Sequence, residues 1–458
     1  MTPSDHLFSR RRALQTAGCG FGYLAFSALS TLQARAAASP LAPKSPHFAG
    51  SAKRVIFLAM QGGPSHVDTF DYKPQLSRDT GKASKGNAKL LGSPYQFAQH
   101  GESGLWISEL FPKLAHHADD LCLLNGMHTD LPNHPQATTQ MHTGNFQFVR
   151  PSLGAWTLYG LGTENDSLPG FITLAPGNGA QNYGSAFLPA VYQGTPIGKQ
   201  ARSRLVAAEN EAPLRNITNQ QLSPELQRVQ LDFIKSLNLD KLKRDQFHPE
   251  VEGIIESYEL AFRMQDEVPE VLNVDEEPES IRRLYGLDDN TTARFGRQCL
   301  AARRMAEAGV RFIQLNHGNW DHHRNLTGGL EQNCGEIDQP ISGLLEDLKQ
   351  RDMLKDTLVI WAGEFGRTPH AQGSNGRDHN HRGYTLWMAG GGVKGGTTHG
   401  ATDDYGHLAV DGKVHIHDWH ATILHLLGLD HERLTYNYAG RDFRLTDVHG
   451  DVVKEILA

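Results

Sequence analysis

Cysteine is scarce in this chain, four residues in 458, and that scarcity sets a first boundary. Cys19 lies in the N-terminal segment, while Cys122, Cys299 and Cys334 are spread through the rest. Three thiols permit at most one disulfide there and exclude a Cys-rich scaffold. An excess of positive charge is also missing. Lys and Arg number 44 against 51 Asp and Glu, a formal −7, which argues against non-specific nucleic-acid binding. Beyond the N-terminal region no apolar run is long enough to span a bilayer. The glycines at 390–392 and 395–396 lack the Gly-Lys-Ser/Thr ending of a phosphate-cradling loop and read as turns. No repeat of solenoid length is present.

The N-terminus reads as an address. Ser9-Arg10-Arg11-Arg12-Ala13-Leu14-Gln15 precedes an apolar segment from Ala17 to Leu32, and Ala34, Ala36, Ala37 and Ala38 suit signal-peptidase cleavage. The run resembles the twin-arginine export consensus. Residues 1–38 are therefore expected to be a removable signal read by the twin-arginine export machinery, leaving the protein periplasmic or secreted without a stable membrane span. Cys19 precedes most of the apolar region, which argues against lipid attachment. Loss of the segment removes Arg10, Arg11, Arg12 and Arg35 against Asp5, taking the formal charge from −7 to about −10.

A Pro/Ser/Ala linker (39–52) leads into one large α/β domain expected over 53–458. Short apolar runs bounded by turn residues predict strands at 53–60, 120–126, 171–176, 310–316, 357–363 and 383–391. Helical spacing predicts helices over 292–309, 335–351 and 417–429. Alternation of the two implies a mainly parallel sheet with helices on both faces. Around 222–288 the composition shifts to Glu, Leu, Arg and Lys, predicting a helical insertion, and the acidic run 275–280 reads as a solvated loop.

Candidate ligands follow the strands. Asp321, His322 and His323 come after 310–316, Glu364 comes directly after 357–363, and Asp378, His379 and His381 precede 383–391. Open α/β sheets bind ligands beyond the carboxyl ends of their strands, and mixed oxygen and imidazole donors are what a hydrolytic metal site needs. Residues two apart in an extended segment face the same way, so Asp321 pairs with His323 and His322 points elsewhere. Glu364 is either a metal ligand or an ion-pair partner of Arg367. Arg367 and Arg377 have the fork geometry to hold the oxygens of an anionic substrate. Gln61-Gly62-Gly63 ends the first strand, so His66 and Asp68, again two apart, are either further ligands or residues of a simple Gly-Gly-Pro turn. For a nucleophile the segment 128–144 offers Thr138, Thr139 and His134, among which the residues do not choose.

QGGPSHVDTFD, NHPQATTQMHTG, GNWDHH, VIWAGEFGRTP, GRDHNHRGYTLWMAGGGVKGG and HDWHATILHLLGL, taken in order, resemble the exported proteins grouped as domain of unknown function 1501. Together they resemble the alkaline-phosphatase-like superfamily. The resemblance implies a three-layer α/β/α sandwich and one or two divalent ions, with zinc, manganese and calcium all open. It places Asp68 (or His66), Asp321, His323, Glu364 and His379 at the ligand positions. It also implies an anionic ester or a sulfated polysaccharide as substrate. The segment Asn133-His134-Pro135-Gln136-Ala137 stands where sulfatases carry a Cys or Ser that becomes formylglycine, and has neither residue. The expected function is a metal-dependent hydrolase of phosphate or sulfate esters lacking that motif. The alternative is a non-catalytic binding protein that keeps the fold.

Overall fold

The computed structural model describes residues 40–458 except 85–87, 178, 199–221 and 246–248, and omits the side chains of 239–257 and 266–267. The export segment lies outside the described residues. A nine-stranded sheet forms the centre, built from β1 (Arg54–Met60), β2 (Leu121–His128), β3 (Phe171–Leu174), β4 (Thr195–Ile197), β5 (Phe312–His317), β6 (Thr357–Ala362), β7 (Tyr384–Ala389), β8 (Thr397–His399) and β9 (Val414–His415). Their order is β8-β2-β7-β6-β1-β5-β3-β4, with β9 also paired to β2. Every pairing is parallel except those of β7, which runs against both β2 and β6.

The central strands β1, β6 and β7 are almost wholly apolar because both faces of the sheet are covered. In β1 the side chains alternate between two cores: Ile56, Leu58 and Met60 join one cluster, Val55, Phe57 and Ala59 the other. The first cluster is roofed by α5 (Ala293–Glu307) and α6 (Leu326–Gln350), whose Leu300, Leu330, Ile337 and Leu344 are buried in it. The second is roofed by α2 (Leu153–Leu161) and α7 (Ile416–Leu426), through Trp156, Leu158, Trp419 and Ile423. At roughly 1.5–3 kcal/mol for each large apolar side chain fully buried, these two layers dominate the stability of the domain. The result is the three-layer α/β architecture expected. Cys122, Cys299 and Cys334 are buried and unpaired. No helix among the described residues is long and apolar enough to cross a membrane.

The expected helical excursion consists of α3 (Pro224–Asp245) and α4 (Pro249–Leu272), and Met264 and Val268 of α4 pack into the first core. The acidic run after it is not simply solvated. Glu277 is buried and accepts hydrogen bonds from Arg303 at 2.6 Å and Arg304 at 2.7 Å, while Asp275 pairs with Arg297.

Parallel strands end at the same rim, so the carboxyl ends of β1, β2, β5 and β6 and the amino end of β7 lie together. A short hairpin, Gly366–Ala371 paired with Arg377–Asn380, bridges β6 to β7 there. Its anchor is a fully buried ion pair. Arg377 Nε donates to Asp68 Oδ2 at 2.8 Å and Nη2 to Oδ1 at 3.0 Å, and Nη1 donates to the carbonyls of Leu91 and Thr368. Removing one member strands the other charge in a dry site. Asp68→Ala is expected to lower stability by about 3–5 kcal/mol in urea denaturation. The apolar double replacement Asp68→Leu/Arg377→Met should lose less than the single change. A double variant as unstable as the sum of its singles would contradict that account.

Candidate metal centre

Four side chains from three segments converge at this rim. His134 opens α1 (His134–Thr143), Asp321 and His323 follow β5, and His379 comes from the hairpin. One ligand atom from each lies within 4.8 Å of every other. Asp321 Oδ1 is the focus, with Nε2 of His323 at 2.9 Å, of His134 at 3.1 Å and of His379 at 3.2 Å, and His323 and His379 place their Nε2 atoms 2.9 Å apart.

The outer nitrogens explain why the Nε2 atoms face inward. His134 Nδ1 donates to Glu364 Oε1 at 2.6 Å, His323 Nδ1 to Gln372 Oε1 at 2.5 Å, and His379 Nδ1 to the carbonyl of Pro132 at 2.5 Å. Oxygen acceptors can only receive, so each Nδ1 carries a ring proton and each Nε2 is turned toward Asp321. Three imidazole nitrogens and a carboxylate oxygen packed this closely call for positive charge among them, a proton or a metal ion. Imidazoles backed by an oxygen acceptor on the far nitrogen are how proteins aim histidine at a metal.

Local backbone geometry makes the convergence possible. Gly62 ends β1 at φ +116°, and a Cβ there would sit 2.7 Å from the Asp321 nitrogen. Its N–H donates to Glu364 Oε1 at 2.9 Å and its carbonyl accepts from Arg367 Nη2. Gly376 is equally constrained, since a Cβ would meet the carbonyl of His323 at 1.9 Å. The hairpin register shifts between Arg377 and His379, an irregularity of the kind that re-aims side chains beside functional sites.

Several sequence expectations require correction. Glu364 is not at the point of convergence: it is buried and orients His134 from behind, and its anticipated partner Arg367 pairs instead with Asp321 at 2.6 Å. Arg367 is fully buried, donating through Nε to the carbonyl of Gly63, through Nη1 to that of Arg377 and through Nη2 to Gly62, Trp320 and Asp321, so it has no free edge for a substrate. Arg377 is likewise taken by Asp68, which is therefore not at the cluster either. His66 is buried, with Nε2 donating to the Gly406 carbonyl and Nδ1 accepting from Arg367 N–H, and burial lowers its pKa. Its segment is a turn at Gln61–Gly62 followed by the single helical turn His66–Thr69, not a simple Gly-Gly-Pro turn. Asp378 is exposed and caps its neighbour's N–H, and His381 lies outside the cluster. The Thr139 hydroxyl donates to the carbonyl of Pro135 at 2.7 Å, whereas Thr138 lines the adjoining cavity. His322 turns away as expected, against Gly329, with a pKa lowered to about 4 by burial. What the sequence did not reveal is the outer support from Gln372 and the Pro132 carbonyl. A backbone carbonyl carries no residue signature, and Gln372 sits in an ordinary turn.

A cavity of about 750 Å³ opens beside the cluster, walled by His134, Thr138, Asp321 and Glu364 on one side and by residues of α5 and the β5 loop on the other. Electrostatics at its mouth are strong. Burial would raise the Asp321 carboxyl, but hydrogen bonding to His134, His379 and Arg367 outweighs it and holds the group far below the usual range. Burial would lower His134, but Asp321 and Glu364 outweigh it and push it up to about 9. A proton on Nε2 is then the positive charge among these groups when no metal is bound. Because the folded pKa is raised, the stability His134 contributes is fully present below about pH 6.5 and lost as pH rises through about 9. In a chelator, the destabilisation by His134→Gln should be largest at pH 6 and shrink toward pH 10 in urea melts. A pH-independent difference would contradict it.

No curated protein sequence matches the chain. Among solved structures, the lipoteichoic acid synthase LtaP from Listeria monocytogenes overlaps at TM-score 0.38 and 8% identity, covering 88% of this chain and 78% of that one. A sulfatase from Pseudoalteromonas sp. overlaps at TM-score 0.36 and 13% identity, covering 88% and 71%. A phosphonate monoester hydrolase from Silicibacter pomeroyi does so at 0.35 and 12%, covering 82% and 73%. Overlaps of this size have no bearing on activity. The family match is of another order: the profile described as protein of unknown function (DUF1501) fits residues 52–457, and the chain belongs to that family.

Proposed function

We propose that the protein is an exported, metal-dependent hydrolase of phosphate or sulfate esters, with the ion held by His134, Asp321, His323 and His379. The observation that carries this reading is the inward convergence of three imidazole Nε2 atoms on one carboxylate oxygen. Four donors about 2.0–2.1 Å from a shared zinc ion lie roughly 3.3 Å apart at tetrahedral angles. The separations of 2.9–3.2 Å around Asp321 Oδ1 are close to that edge. Three nitrogens and one oxygen suit zinc or manganese and leave calcium, which takes six to eight oxygens, a poor fit. A single ion is favoured, because Asp68 and His66, the residues that would extend the site, are committed elsewhere.

Bound there, a divalent ion would act as a Lewis acid and lower the pKa of a water to near neutrality. The chain's own residues then have separate tasks. Glu364 fixes the ring of His134, Arg367 holds Asp321 in place, and the cavity wall presents the Thr138 hydroxyl beside His134 as a nucleophile alternative to water. Purified by its export route, the protein is expected to contain close to one zinc or manganese per chain and to cleave aryl phosphates or sulfates. His379→Ala should abolish both metal and activity, His407→Ala neither, and Glu364→Ala should weaken metal binding about 10–100-fold. Protein that never holds stoichiometric metal would defeat the proposal. For export, Arg10→Lys/Arg11→Lys should leave the protein in the cytoplasm on fractionation, and undiminished export would remove the twin-arginine assignment.

A further inference from the structure

We infer that Arg294 sets specificity by gripping a second anionic group of the substrate, a carboxylate or a further phosphate or sulfate at the end remote from the cluster; this rests on reading the cluster as an ester-cleaving centre. The partners of the charged groups around the cavity carry the argument. All three carboxylates that line it are engaged by the protein itself. Asp321 accepts from Arg367, and Glu364 accepts from His134 and from the Gly62 N–H. Glu336 accepts from His317 Nε2 at 2.9 Å and from Gln332 Nε2 at 2.8 Å. Trp320 Nε1 donates to His317 Nδ1, which leaves the ring proton on Nε2 and fixes the direction of that bond.

Arg294 is the exception. Of the four arginines of α5, Arg297 pairs with Asp275, and Arg303 and Arg304 pair with Glu277. Only Arg294 lines the cavity, and among the described residues it makes no hydrogen bond and no ion pair. It is exposed, so its donors are open to an occupant, unlike those of the saturated Arg367 and Arg377. The Glu336 carboxyl, on the same cavity wall, is lowered in part by its charge, which puts the guanidinium itself near that wall. A guanidinium fork suits the paired oxygens of a carboxylate, phosphate or sulfate. An ester with one anionic group at the cluster leaves this fork to water. One with a second oxyanion uses both ends of the space, and about 750 Å³ has room for such a molecule.

The test uses the metal-loaded protein with phosphate and sulfate monoesters of a graded series of ω-hydroxy acids, each beside its uncharged carboxamide. At one chain length or more the acid should exceed the amide about tenfold in kcat/KM, with the difference in KM rather than kcat. Arg294→Gln should abolish that preference with metal content retained, and Arg294→Lys should keep part of it. Arg297→Gln, on the same helix but paired with Asp275, should keep all of it. Acids and amides cleaved alike at every length, or a preference that survives Arg294→Gln, would overturn the inference and leave the hydrolase assignment standing. A fall in Arg294→Gln that is equal for acid and amide would give the arginine to the reacting group and overturn it too. If no ester is cleaved, the assignment falls, and calorimetry with the matching ω-phosphono acids and amides decides the cavity separately. Acids bound about tenfold more tightly than amides, with the difference lost in Arg294→Gln, support the inference; equal binding overturns it.

Discussion

Asp321 Oδ1 has three imidazole nitrogens and one guanidinium nitrogen within 3.2 Å, and each of those four groups is held by a different part of the rim. Crowding of this kind needs opposed restraint. Arg367 approaches from the buried side, where it is clamped by carbonyls of the β1 turn and the β5 loop. The imidazoles approach from the cavity side, each steered by an acceptor behind it. The carboxylate is therefore the joint at which the loops after β1, β2, β5 and β6 and the hairpin before β7 are tied together. Disturbing it disturbs all of them at once.

The two buried arginines act alike although their partners differ. Each fills its donor fork with main-chain carbonyls and one carboxylate: Arg367 with Asp321, Arg377 with Asp68. A buried ion pair adds little net stability against an apolar replacement, but its fixed fork specifies where the hairpin sits. That specificity is what the site needs, because a displacement of about 1 Å at the hairpin would take His379 out of range of the other ligands.

Much of this was legible in the sequence. Mainly apolar runs at 53–60, 310–316 and 357–363 identified buried strands, since strands covered on both faces lose the alternating pattern. The alternation Asp321-His322-His323 correctly separated the inward pair from the outward ring. Long-range choice of partner was not legible. Glu364 and Arg367 are neighbours in the chain and looked like a pair, yet each is drawn to a residue contributed by a distant loop, His134 and Asp321. The period of two also broke down past Arg377, where the strand register shifts and His379, but not Asp378 or His381, reaches the cluster. Asp68 and His66 illustrate the converse, chemistry-bearing residues after a strand that serve the frame, through the ion pair with Arg377 and the hydrogen bond to the Gly406 carbonyl.

The positions of the positive charges bear on how an anionic ester could be neutralised at this rim. Neither Arg367 nor Arg377 has an edge to offer. The amino end of α1, which begins at the cluster, is little better placed than they are. Pro135 has no N–H, and the Gln136 N–H is already received by the Asn133 side chain. Arg294 stands across the cavity on α5 and suits the far end of a substrate more than its reacting group. Apart from the buried Arg367, none of the groups just named places positive charge where the four inward donors meet. The burial of the arginines and the convergence of the histidines are thus two sides of one arrangement: the guanidinium groups hold the frame, and the imidazoles are left to turn inward on Asp321.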